Sequence, residues 1–199
     1  MFSLRMVSAG AQVHAASSRV TAAPTKFRDV LLLTPQVYSD DRGFFLESYN
    51  EQEFAALGIH AHFVQDNHSY SRQNTLRGLH YQVKHEQGKL VRVISGSILD
   101  VTVDLRKSSP TFAQWQSIEL SGQNRGMLWI PSGFAHGFRV LSEDAHVVYK
   151  TTDFYSPTHE RTLAWDDAEI AIDWQLSGAP TLSAKDSAGT PLHKAELFK

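Results

Sequence analysis

Lys89-Leu90-Val91-Arg92-Val93-Ile94-Ser95-Gly96-Ser97-Ile98-Leu99-Asp100-Val101-Thr102-Val103-Asp104-Leu105 holds two strand-like runs on either side of a short turn. In the second run Leu99, Val101, Val103 and Leu105 alternate with Asp100, Thr102 and Asp104. A period of two sends the two sets to opposite faces of a strand, so one face is expected to be packed and the other polar. Ser95-Gly96-Ser97 reads as a hairpin connection. The same texture continues outward. Val30–Leu33 is apolar and ends at Thr34-Pro35, and Gly43–Tyr49 is aromatic-rich after the turn-like Ser39–Gly43. Met127–Ile130, Phe134–Leu141 and Val147–Thr151 add three more runs. Helix signals are few: Glu51–Leu57, with Asn50 as N-cap and Gly58 as stop, and a shorter Asp166–Ile172. Many short strands with regular turns predict an all-β sandwich or jelly roll. Strands do not alternate with long helices, which argues against a doubly wound α/β fold.

A plain sandwich leaves one feature unexplained. His80, His136 and Tyr149 lie within apolar or aromatic context, and buried polar groups are costly without partners. Several in one small domain suggest a barrel whose interior is partly a wet, functional pocket.

The chain has 199 residues, a formal net charge of −2 and no cysteine. That length is one domain. The charge argues against general nucleic-acid binding, because no basic excess is available to neutralise phosphates. Local Arg and Lys clusters could still grip one phosphate-bearing ligand. Without cysteine there are no disulfides, thiolate nucleophiles or thiolate-held metals, although the redox compartment stays undetermined. No apolar stretch is long enough to suggest a membrane span. From Met1 to Arg28 there is no acidic residue, while Arg5, Arg19, Lys26 and Arg28 sit among Ala, Ser and Val. A transit peptide has such a composition, but a poorly ordered or docking extension over residues 1–26 is the preferred reading. The folded domain is then expected over residues 27–199.

Arg77-Gly78-Leu79-His80-Tyr81-Gln82 offers a strand histidine, and imidazole titrates near neutrality. A lone strand histidine is also what a hydrogen-bonded core residue looks like, so partners matter. Asp186, in Leu182–Asp186, offers a carboxylate to orient the ring, and Tyr149 a phenol as proton donor. Arg42, Arg77, Lys89 and Lys185 sit near glycines or turns, where cation and backbone can approach phosphate together. Gln65, Asp66 and Asn67 could pair with a pyrimidine edge or a hydroxyl, and Phe44 and Phe45 could stack on a base. Each alone is more often a surface charge or a core aromatic. His80, His85, Glu86 and His136 could be imagined as metal ligands. No His-x-His occurs, and adjacent His159 and Glu160 would point oppositely on a strand. The ligand set that non-haem iron requires is not met, so no metal and no cofactor are expected.

Taken together, seven ordered segments resemble the dTDP-4-dehydrorhamnose 3,5-epimerase family: Ser39–Ser48, Phe63–Ser69, Leu76–His80, Gln87–Arg92, Asp100–Arg106, Trp129–Phe138 and Leu182–Asp186. Their order and spacing agree with the family from about Phe27 to Asp186, and seven strings are far more specific than one motif. The resemblance implies a cupin-type jelly-roll barrel, a homodimer, and a cytoplasmic enzyme acting on a dTDP-sugar in the barrel mouth. Matched by position, His80 looks like the base, Asp186 its dyad partner, Tyr149 the acid and Lys89 the cation beside the sugar O4. Arg42, Phe44, Glu47, Gln65, Asp66, Asn67, Arg77, His136, Phe154, Glu160 and Lys185 look like nucleotide and sugar contacts. Phe154 stands where the family often has Tyr; stacking survives that change and a hydroxyl contact does not. The leader also departs from the family's usual start.

The chemistry agrees with these roles. A C–H beside a ketone is acidic only if the developing enolate oxygen is stabilised, which a lysine can do. Inversion needs removal on one face and delivery on the other, hence a base and an acid set apart. The same pair would serve a single-centre epimerase, and the sequence leaves that alternative open. A non-catalytic cupin would be expected to lack His80, Tyr149 or Lys89. A metal-dependent cupin oxygenase would need the missing ligands.

Overall fold

A computed structural model describes residues 18–199. Thirteen strands follow in order: β1 (Val20–Pro24), β2 (Leu31–Pro35), β3 (Val37–Asp40), β4 (Gly43–Leu46), β5 (Gln65–Arg72), β6 (Leu76–Gln82), β7 (Lys89–Ser95), β8 (Ser97–Asp104), β9 (Trp115–Ser121), β10 (Met127–Ile130), β11 (Phe134–Val140), β12 (Asp144–Thr151) and β13 (Glu160–Thr162). Helix α1 (Glu51–Ala56) precedes β5, and α2 (Ala184–Ser187) lies near the C-terminus. One sheet runs β1-β2-β10-β7-β12-β5, a second β13-β6-β11-β8-β9, and β3-β4 is a separate hairpin. The two large sheets face each other as a jelly-roll barrel.

Ser95-Gly96-Ser97 is not a hairpin. β7 and β8 belong to different sheets, and the turn carries the chain from one to the other. Gly96 is required there: its φ is +77°, and a Cβ would collide with the Asp144 carbonyl. The alternation in β8 also has a different meaning from the one expected. Asp100, Thr102 and Asp104 are as buried as their apolar neighbours. Their face looks into the barrel, beside Phe134, His136 and Phe138 of the paired β11. Leu99, Val101, Val103 and Leu105 face outward and pack under Leu163, Ile170, Trp174 and Leu192 of the C-terminal segment. The apolar side of that strand is therefore the barrel's outer wall, covered by a strap of chain.

Between the sheets, Val91, Val93 and Val147 meet Ile98, Leu120, Phe134 and Phe138. Helix α1 forms as expected: Asn50 Oδ1 accepts from the Gln52 and Glu53 N–H groups, and Phe54 is buried against Leu33, Leu90 and Met127. The predicted helix at Asp166–Ile172 is absent; the segment is a run of turns. Asp167 Oδ1 accepts from Glu169 and Ile170, and Oδ2 from Leu192 N–H, so the carboxylate anchors the strap instead. The fold also starts earlier than Phe27, because β1 pairs with β2 from Val20 to Pro24. The remainder of the expected leader, residues 1–17, lies outside the described range.

Candidate active site

Residues of β5, β6, β7, β11 and β12 that point into the barrel surround a cavity of about 360 Å³. His80 stands on β6 in the five-stranded sheet; Tyr149 and Lys89 stand on the neighbouring strands β12 and β7 of the six-stranded sheet. The two sets thus occupy opposite walls. Local geometry at His80 is set by a bulge. β6 carries an extra residue between the His136–His80 and Phe138–Arg77 pairs. Gly78 has φ +109° there, and a Cβ would lie 2.6 Å from Gly137 Cα. No larger residue fits that approach.

The freed backbone has a use. Gly78 N–H donates to Asp186 Oδ1 (3.3 Å), and His80 Nε2 lies 2.6 Å from the same oxygen. Asp186 is buried and arrives from α2, whose N-cap Ser183 donates its hydroxyl to Oδ2 (2.7 Å). Burial alone would push this carboxyl up, but the bonds from His80, Ser183 and Gly78 outweigh it and hold the pKa at about 2. A carboxylate only accepts, so His80 Nε2 carries the proton and Nδ1 holds the free lone pair of the neutral ring.

Lys89 is buried, and its Nζ donates to the His80 carbonyl at 3.1 Å. Burial lowers its pKa to about 8, against the opposing charges of Glu160 and Asp100. The Tyr149 phenol is raised, first by burial and then by Glu160. Glu160 accepts from Lys185 Nζ and from Tyr155 Oη, both at 2.8 Å. His136, paired with His80 across the sheet, bonds buried Asp100 at 2.8 Å. Arg77 is held by Ser71 Oγ (2.8 Å). Gln65, Asn67, Arg77, His80, Lys89, His136, Tyr149, Glu160 and Lys185 all line the one cavity, with Asp186 directly behind His80.

Five expected contacts are elsewhere. Arg42 sits in the β3–β4 turn, paired with Asp40 (2.6 Å). Phe44 is on the same exposed hairpin under the Arg125 guanidinium (4.1 Å), and Glu47 pairs with Arg19 (3.0 Å). Asp66 alternates with Gln65 and Asn67, so it points to the outer face and pairs with Lys150 (3.1 Å). Phe154 is exposed beside the cavity, whereas its neighbour Tyr155 lines it. Gln82, Gln87 and Tyr155 also line the cavity although the sequence does not single them out as site residues, and Asp100, on a face of β8 that reads only as polar, stands behind His136. Among the described residues no group of three or more His, Asp or Glu is placed to hold a metal ion. His85 instead pairs with Asp153 (3.3 Å).

An interior His–Asp dyad facing a phenol and a buried amine defines an acid–base site in a cupin-type jelly roll. The family model for dTDP-4-dehydrorhamnose 3,5-epimerase matches residues 24–194. The dTDP-4-dehydrorhamnose 3,5-epimerase of Pseudomonas aeruginosa is 56% identical over 85% of this chain and 94% of its own length. That of Salmonella typhimurium is 54% identical, over 87% and 96%. The crystal structure of dTDP-6-deoxy-D-glucose-3,5-epimerase from Legionella pneumophila, in complex with dTDP-4-keto-L-rhamnose, superposes with a TM-score of 0.88. It is 44% identical and covers 90% of this chain and 98% of that one. The chain belongs to the dTDP-4-dehydrorhamnose 3,5-epimerase family.

Proposed function

We propose that the protein inverts C3 and C5 of dTDP-4-dehydro-6-deoxy-D-glucose, giving dTDP-4-dehydro-L-rhamnose on the route to dTDP-L-rhamnose. The observation that carries this reading is the placement of His80–Asp186 and Tyr149 on opposite walls of one cavity, with Lys89 between the sheets beside them. His80 Nδ1 takes the proton from the carbon next to the C4 ketone, and Asp186 stabilises the imidazolium. The electron pair moves to O4, where the Lys89 ammonium meets the developing negative charge. Tyr149 returns a proton from the other wall, inverting the centre, and the two groups re-equilibrate with solvent before the second carbon reacts. Hydrogen moves only as a proton, so the balance needs no electron carrier.

Arg77 and Lys185 at the cavity suit the diphosphate. Phe44 and Phe45, 58% and 66% exposed on the β3–β4 hairpin, suit burial against a second copy. A homodimer would also give Arg42, Phe44 and Glu47 a route to a neighbouring site. Nucleotide sugars are built in the cytoplasm, where we place the enzyme; none of the described helices is long and apolar enough to cross a membrane. The test is turnover of dTDP-4-dehydro-6-deoxy-D-glucose in heavy water, followed by NMR. Deuterium at both C3 and C5 supports double epimerisation. Deuterium at one carbon makes the protein a single-centre epimerase, and none at either refutes the reading.

A further inference from the structure

The loop Asp153–Ser156 has no strand or helix of its own, yet its backbone is held at four consecutive residues by the side chains of three glutamines. Gln87 Nε2 donates to Asp153 O (2.9 Å), and Gln82 Nε2 to Phe154 O (3.3 Å). Tyr155 N–H donates to Gln65 Oε1 (3.0 Å), and Ser156 N–H to Gln82 Oε1 (2.8 Å). The three come from different places: Gln65 begins β5, Gln82 ends β6, and Gln87 precedes β7. Gln82 bonds the loop through both ends of its carboxamide, is 4% exposed, and also donates to His85 O. An ionised glutamate has no donor for those carbonyls, and leucine has neither donor nor acceptor. The amide at Gln65 is equally committed, since its Nε2 donates to Asn67 Oδ1 (2.8 Å).

What the loop presents is aromatic. Phe154 and Tyr155 are 63% and 50% exposed at the cavity rim, and the Tyr155 hydroxyl is tied to Glu160. Aromatic surface held still gains contact with a flat ligand without ordering a flexible loop at the moment of binding. We propose that the glutamine clamp preforms this ledge for the nucleotide, with Gln82 as the positioning residue on which nucleotide affinity depends. This rests on the reading that the cavity takes a dTDP-sugar. The Gln82 side chain lines the same cavity but makes no hydrogen bond to His80 or Asp186, so affinity rather than the proton steps is what it governs.

The experiment compares wild type, Gln82→Leu and Gln82→Glu, with dTDP as the calorimetric probe and hydrogen exchange at the Tyr155 and Ser156 amides. Gln82→Leu should weaken dTDP binding about 10–100-fold, as expected when one or two loop residues must be ordered on binding. KM should rise in step, kcat should stay within about threefold, and both amides should exchange faster. Gln82→Glu keeps the acceptor for Ser156 and loses the donor. A buried carboxyl protonates readily, so its dTDP affinity should recover towards wild type as pH is lowered. Unchanged dTDP affinity in a variant with a wild-type melt overturns the proposal. So does a fall in kcat at constant KM, which would mean that Gln82 acts through His80. Wild-type protein that does not bind dTDP refutes the functional reading by itself. Unaltered Tyr155 and Ser156 exchange in both variants overturns the clamp whatever the wild type binds.

Discussion

Lys89 is buried on β7, donates to the His80 carbonyl, and is held near pH 8 by its removal from water. The drop from 10.5 to about 8 is worth about 3 kcal/mol at roughly 1.4 kcal/mol per pH unit. Its sign is unfavourable to folding. Below pH 8 the amine is charged in both states and the whole cost is present. Between 8 and 10.5 the folded state has released the proton and the unfolded chain has not, so stability recovers with rising pH. Lys89→Met therefore removes about 3 kcal/mol of cost at pH 7 and forfeits about 1 kcal/mol from the lost hydrogen bond. A net gain of about 2 kcal/mol should raise the thermal midpoint by roughly 4–8 °C in a chain of this size. Loss of the enolate's cation should at the same time lower kcat by about 10²–10³-fold. The wild-type rate should fall above pH 8 as the ammonium is lost. Melts of both proteins from pH 6 to 11, with kcat measured alongside, decide the matter. A variant less stable than wild type at pH 7, a stability gap that does not close towards pH 10.5, or retained kcat would each refute the reasoning.

Tyr149→Phe should separate proton removal from inversion, because His80 and Lys89 remain: solvent deuterium still enters the substrate, while net inversion falls about 10²–10⁴-fold. Equal losses of exchange and inversion in a well-folded variant would instead make Tyr149 a packing residue. Asp186→Asn should lower kcat and also change acid unfolding. The carboxyl at about 2, against 3.8 when unfolded, contributes about 2 kcal/mol that is present above pH 4 and lost as pH falls through 2. The wild-type advantage over the variant, read by denaturant titration, should shrink across that window; a constant advantage would contradict it.

How far the sequence carried the fold depended on what the period-two signal can encode. Alternation in β8 located the strand and its two faces, but burial on both sides inverted their meaning. The covering strap is an irregular segment with no periodicity to announce it. Strand pairing is non-local, so nothing in Ser95-Gly96-Ser97 distinguishes a hairpin from a step between sheets. His80, Lys89 and Tyr149 were legible as chemistry-bearing types in strands, and the structure places all three around one cavity. The Gln65–Asn67 run illustrates the limit of reading segments whole: strand geometry turns Asp66 outward while Gln65 and Asn67 face in. The glutamine clamp was invisible because its members are far apart in sequence and each is individually ordinary.

One base serving two carbons is the centre of this account. The most direct test is solvent-deuterium exchange by His80→Asn on dTDP-4-dehydro-6-deoxy-D-glucose, with dTDP affinity measured on the same sample. Exchange at C3 and at C5 should fall together, by at least the 10²–10⁴-fold of lost general-base catalysis, with dTDP affinity within about threefold of wild type. Exchange persisting at either carbon in the folded variant would show that another group removes that proton, and would contradict the account.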